Sequence, residues 1–201
     1  LSEKKPLIIE PVALPEDGLP KPIDFATIFG NNRPTELEIG SGKGTFLVHE
    51  ATARPDVNFL GIEWARFYWR YASDRLRRLG LVDNVRMMRA DADVFVKDHL
   101  PDDSLAAVHI YFPDPWPKAR HHKRRLIQKP FMLEMRRVLQ PGGILRIKTD
   151  HADYAQHMRD IFVDPPLTPI DFEGDEVGTN FEKKYIAEGR SFHRFAFRRD
   201  G

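Results

Sequence analysis

Four carboxylates and one glycine-rich turn carry most of the chemistry that this sequence can do. Glu36-Leu37-Glu38-Ile39-Gly40-Ser41-Gly42-Lys43-Gly44 reads as a strand running into a turn that opens a helix. Glycines there let backbone approach a ligand closely. A glycine triplet alone also serves turns and helix caps, so its spacing matters more than its presence. G-x-G-x-G differs from the G-x-G-x-x-G of dinucleotide folds, and a carboxylate at Glu38, two residues before Gly40, would repel a pyrophosphate. A ligand without phosphates fits better. Glu63 closes the next apolar run, 25 residues after Glu38, the usual distance for a β-α-β step that carries a ribose-binding acid. Asp91 follows the third such run and Asp114 the fourth. Any one acid at a strand end is commonly solvated or a helix N-cap. Four in phase converge on one crevice, because ligands of an open α/β sheet lie outside the carboxyl ends of its strands. Adenosine joined to a sulfonium cation suits such a crevice, so S-adenosylmethionine is the expected cofactor, with Glu63 on the ribose hydroxyls and Asp91 on the adenine amine.

Tyr111-Phe112-Pro113-Asp114-Pro115-Trp116-Pro117-Lys118 leaves the fourth strand and cannot continue as helix, since its three prolines fix φ and restrict the residues before them. The rigid loop offers a carboxylate, an indole and an ammonium, equipment for gripping a planar purine, with Trp116 or Tyr111 as the aromatic partner. A kinked connection with Trp116 in the core is the plainer alternative. From Lys118 to Lys129 the chain then holds six Lys or Arg in twelve residues and no acid. Such a run is commonly a solvated face; beside this loop it reads as a site for RNA phosphates. His121 and His122 are adjacent, point apart on a helix and lack a third ligand, so no metal site is expected. Arg66, Arg70, Arg75, Arg77 and Arg78 extend the phosphate track or form a solvated helix face, the second being the simpler reading.

Positioning these residues takes alternating strands and helices. Strands are expected at 36–39, 58–63, 85–89, 106–112 and 143–149, with two late ones at 167–172 and 192–198 forming an antiparallel edge hairpin. A helix over 64–79 places Phe67, Tyr71, Arg75 and Leu79 on one side, and one over 130–139 places Phe131, Met135 and Val138 likewise, each to cover a sheet. The proline-rich start, residues 1–33, reads as an extended surface arm with a short helix, leaving 34–201 as the working domain. The 201 residues, 41% hydrophobic, suffice for a core, and 31 Lys and Arg against 30 Asp and Glu give no global field toward polyanions. Without cysteine, disulfides and thiolate metal sites are excluded. No segment reads as a signal peptide or membrane span, so a soluble, cytoplasmic protein is expected, monomer or homodimer left open.

Glu38 to Gly44, Gly61-Ile62-Glu63, Asp91-Ala92, Phe112 to Lys118 through Arg125, and Thr149-Asp150 together resemble the bacterial tRNA (guanine-N7)-methyltransferase family, TrmB type, over roughly residues 34–199. The resemblance implies an α/β, Rossmann-like class I methyltransferase with a mostly parallel seven-stranded sheet, an antiparallel C-terminal edge hairpin and helices on both faces. It implies cofactor contacts at Glu38, Gly40, Gly42, Gly44, Glu63, Asp91 and Asp114, with Asp114 also catalytic. Substrate contacts are implied at Lys118, Asp150, Thr179, Asn180, Phe181 and Glu182. RNA contacts are implied at Arg120, His121, His122, Lys123, Arg124 and Arg125, with the variable-loop guanosine of tRNA, the forty-sixth nucleotide, as target. A methyltransferase with another RNA, protein or small-molecule substrate, and a non-catalytic tRNA-binding module on the same fold, are the competing readings.

Overall fold

A computed structural model describes residues 6–163, 165–172 and 192–201. Seven strands form one sheet: β1 (Thr35–Ile39), β2 (Asn58–Ile62), β3 (Val85–Met88), β4 (Leu105–Tyr111), β5 (Leu139–Thr149), β6 (Thr168–Ile170) and β7 (His193–Arg198). Their order is β3-β2-β1-β4-β5-β7-β6. The first five run parallel, and β7 then pairs antiparallel with both β5 and β6. This is the expected sheet with its edge hairpin. Winding reverses direction between β1 and β4, which opens a crevice at their carboxyl ends.

Six α-helices join the strands in the described residues: α1 (Phe25–Phe29), α2 (Thr45–Ala53), α3 (Arg66–Arg78), α4 (Ala92–His99), α5 (Lys129–Val138) and α6 (Ala152–Ile161). A parallel sheet buried on both faces needs apolar residues at odd and even positions alike. Leu37, Ile39, Leu60, Ile62, Val108 and Ile110 face a core shared with α4, α5 and α6. Phe59, Val85, Met87 and Tyr111 face the other core, under α2 and α3.

Three sequence expectations need correction. Helix α3 buries Trp69, Ala72 and Leu76, whereas Phe67 is 67% exposed and Leu79 54%. Both stripes have helical period, and the one with a small residue wins because Ala72 lets α2 come close. The proline-rich arm is no surface arm. Val12 and Ile23 are buried, Ala13 bridges Met87 in parallel, and the Leu14 and Met87 amides donate to Met87 and Val12 carbonyls at 2.8 and 2.9 Å. The arm closes the open edge of β3, which its proline content did not reveal. Strand β5 also begins earlier than expected, at Leu139, with a register irregularity opposite Leu105 and Ala107.

A buried carboxylate under α2 is paired with a partly exposed arginine. Arg54, at the end of that helix, donates to both oxygens of Glu36 on β1, at 2.7 and 2.8 Å. Burial pushes the Glu36 carboxyl up, but hydrogen bonds from His109 and the Arg54 fork outweigh it and hold the group at about 2. A depressed acid stabilises the fold fully above its ordinary value of 4.5 and loses that contribution as pH falls toward 2. Urea titrations between pH 5 and pH 2.5 will show a steep stability loss, and Glu36→Gln will flatten the profile by roughly 2 kcal/mol.

Candidate active site

A cleft of about 730 Å³ opens at the carboxyl ends of β1, β2 and β4, within the range of small-molecule sites. The glycine turn forms its floor. Gly40 and Gly42 both have positive φ, +80° and +52°, conformations that favour glycine, and both line the cleft. Nothing lies within 4 Å of where a Cβ on Gly40 would stand, so backbone there is open to a ligand. Gly40 and Ser41 amides donate back to the Ile62 carbonyl at 2.8 and 3.1 Å, which pins the turn to β2. Gly44 has a different role from the one expected. It is the left-handed N-cap of α2, it does not line the cleft, and a Cβ on it would meet the Ala72 Cβ at 3.2 Å. Its value is close packing of α2 on α3.

Glu63 ties the two walls together. Its Oε2 accepts from the Gly42 amide at 2.8 Å and its Oε1 from the Ala65 amide at 2.7 Å. Glu63 lines the cleft, and each oxygen retains acceptor capacity, since a carboxylate can accept about four hydrogen bonds. Glu38 is buried in the floor, and Asp114 is exposed on the facing loop; both line the cleft. Asp91 is placed less directly. Its Oδ1 caps α4 by accepting from Asp93 and Val94 at 3.0 and 3.3 Å, while its neighbours Ala90 and Ala92 line the cleft.

The proline loop crosses the mouth. Phe112 and Trp116 have φ of +52° and +44°, strained values for residues with a Cβ, and they bracket Pro113-Asp114-Pro115. Trp116 lines the cleft with its ring under the Arg124 guanidinium at 5.1 Å and edge-on to His121 at 5.8 Å. Asp150 follows β5 next to this loop, because Tyr111 pairs with Lys148 and the Phe112 amide donates to the Lys148 carbonyl at 2.8 Å.

Residues Ala119–Arg124 form a short 3-10 helix. Arg120, Lys123 and Arg124 are exposed on it, and Lys118 is exposed just before it, outside the cleft lining. His122 lies 3.7 Å from Asp153. Arg125 corrects the expectation of an RNA contact. It is 2% exposed, its Nε donates to the Pro115 carbonyl at 2.9 Å, it pairs with Asp153, and it sits over the Tyr154 ring. A phosphate cannot reach a guanidinium so enclosed; Arg125 braces the loop instead. Of the second arginine cluster, Arg75 bonds Lys43 and Thr45, and Arg77 and Arg78 pair with Asp74, as a structural helix face does. Thr179, Asn180, Phe181 and Glu182 lie outside the described residues. Tyr68, Thr45 and Phe46 line the cleft without having been singled out; only their place within a few residues after Gly44 or Glu63 signals them.

Open glycine backbone, carboxylates on floor and loop, and a largely apolar wall fit S-adenosylmethionine. The solved structure of the antibiotic-resistance methyltransferase Kmr superposes with a TM-score of 0.59 at 20% identity, covering 88% of this chain and 91% of that one. Sheet order, antiparallel edge and the glycine turn at the switch point give the chain the Rossmann-like fold of class I methyltransferases. Residues 32–194 match the family described as "Putative methyltransferase". A curated tRNA (guanine-N(7)-)-methyltransferase of Bordetella pertussis is 45% identical over 150 residues, 74% of this chain and 58% of that protein's length. Its counterpart in Syntrophotalea carbinolica is 38% identical over 200 residues, 96% of this chain and 86% of the relative. The chain belongs to the tRNA (guanine-N7)-methyltransferase family.

A Cβ on Gly61, beneath the turn, would fall 2.6 Å from Leu47 Cδ1 and Met87 Sδ and 2.7 Å from Ser41 Oγ. Gly61→Ala should therefore cost about 1–3 kcal/mol in denaturant unfolding, as overpacked cores do. Arg125→Gln should lose a similar amount, roughly 1–3 kcal/mol, by stripping the Pro115 carbonyl and Asp153 of their donor. Arg120→Gln, on the exposed side of the same segment, should stay within about 0.5 kcal/mol of the parent.

Proposed function

We propose that the chain transfers a methyl group from S-adenosylmethionine to N7 of the variable-loop guanosine, position 46, of tRNA. The observation that carries this reading is the continuity of the cleft with a rigid acidic loop and then an exposed cationic segment, within 12 residues from Pro113 to Arg124.

S-adenosylmethionine, when bound, supplies an electrophilic methyl on a sulfonium sulfur. Gly40 and Gly42 offer it backbone, Glu63 accepts from ribose hydroxyls, Asp91 and its neighbours meet the adenine, and Glu38 balances positive charge. Guanine N7 carries a lone pair in the neutral base, so no proton has to leave before attack. Alignment is then the main catalytic task. Asp114 and Asp150 accept from guanine N1–H and the exocyclic amine, which turns N7 toward the donor. The same carboxylates favour the cationic purine that forms. The base leaves its stack to enter, an excursion typical of enzymes that act on bases, and Trp116 or Tyr111 provides the aromatic wall. Arg120, Lys123 and Arg124, with His121 and His122 beside them, take phosphates, and Lys118 and the stretch from Thr179 to Glu182 contact the substrate. A cytoplasmic location accords with a tRNA substrate, and among the described residues no helix is long and apolar enough to cross a membrane.

Incubation with labelled S-adenosylmethionine and unmodified tRNA, then reduction and aniline cleavage, tests the reading, because the chain breaks at N7-methylguanosine. Label and a cut at position 46 are expected. No label sinks the enzyme reading, and label without a cut sinks the N7 assignment. Asp114→Asn should lower turnover about 100-fold, as loss of one preorganised charge-stabilising group does; full turnover removes Asp114 from catalysis.

A further inference from the structure

A chain of polar residues runs under α2 into the cleft wall, and the transfer chemistry above calls at most on the ring at its end, Tyr111. His109, in the middle of β4, is 2% exposed. Its Nε2 stands 3.0 Å from Glu36 Oε2 and its Nδ1 2.9 Å from the Tyr111 hydroxyl. Glu36, also held by Arg54, is ionised and can only accept, so Nε2 bears the hydrogen. Nδ1 is then an acceptor, and the Tyr111 hydroxyl donates to it. Burial pushes the imidazole below its ordinary value more than Glu36 raises it, which keeps His109 neutral.

Tyr111 occupies the other end of the chain. It is the last residue of β4, it lines the cleft, and the strained Phe112 follows it into the Asp114 loop. Among the described residues, its ring is held on three sides. The hydroxyl reaches His109, the Lys148 ammonium lies 4.8 Å over the ring, and the Phe46 ring meets it edge-on at 5.3 Å. Phe46 also contacts the imidazole at 4.6 Å, so one aromatic clamps both partners. A ring needed only for packing would be served by phenylalanine. A hydroxyl tied to a tautomer-locked histidine fixes the ring's tilt as well as its position.

We propose that His109 is a positioning residue: locked as the Nε2–H tautomer by Glu36, it accepts the Tyr111 hydroxyl and sets the cleft wall against which methyl donor and guanine are aligned. This rests on the methyltransferase reading above. Tyr111→Phe removes one oxygen from a buried ring and keeps its volume. It should lower kcat about tenfold with KM for S-adenosylmethionine and for tRNA within twofold. His109→Leu should lower kcat similarly, and the double variant should fall no further than the worse single, because both delete one interaction. His109→Gln, which retains a donor and an acceptor, should recover part of the rate. Unchanged kcat in Tyr111→Phe overturns the proposal, as does a double variant whose loss is the product of the two singles.

Histidine 15N spectra read the same link without activity. The parent should show His109 as the Nε2–H tautomer, and Tyr111→Phe should shift Nδ1 downfield as it loses its donor. The opposite tautomer, or an unmoved Nδ1, also overturns it. A parent protein that labels no tRNA while these spectra behave as expected refutes the acceptor, not the tautomer link.

Discussion

One carboxylate, Glu63, joins the two walls of the cleft. Its oxygens take an amide from the glycine turn on one side and from the start of α3 on the other. Charge-assisted bonds to backbone N–H groups are among the stronger ones available to a protein. They fix the distance between a glycine-rich turn and the helix that it must meet. Without this tie, Gly42 would retain more of the conformational freedom that suits glycine to turns and makes it costly to order. The parallel pairing of β1 with β2 and β4 supplies the frame, and Glu63 converts it into a cleft of defined width.

Sequence reasoning recovers features that are local and periodic. Strand-end acids announce themselves because each follows an apolar run, and Glu38, Glu63 and Asp114 all line the cleft. The prolines foretell a rigid loop, although the strain at Phe112 and Trp116 is visible only in space. Burial is where reading by position fails. Arg125 belongs to a run of cations in sequence, yet Pro115, Asp153 and Tyr154 enclose it. Gly44 belongs to the glycine motif and serves packing against Ala72. On α3 two apolar stripes share one period, and only the neighbour across the interface decides between them. His109 carries a weaker signal still, a polar residue inside an otherwise apolar strand, with meaning only once Glu36 and Tyr111 stand beside it.

The loop and its brace illustrate how positive charge can do opposite jobs a residue apart. Arg124 lies over the Trp116 ring at the cleft mouth and stays open to solvent, whereas Arg125 turns inward and spends its donors on the loop's backbone and on α6. The strain of two positive φ values costs on the order of 1–3 kcal/mol each. Contacts from Arg125 are well placed to offset it, since they act on Pro115, between the two strained residues.

Both rims of the sheet are shielded from further pairing, by different means. Beside β3, the arm supplies Val12 to Leu14 as a partial extra strand. At the far rim, β6 is only three residues long and has Pro169 at its centre, a residue with no N–H to offer. An uncovered strand edge is a template for recruiting another chain. A protein that must keep a crevice open at one end of its sheet thus has the sides of that sheet closed to strand-by-strand aggregation.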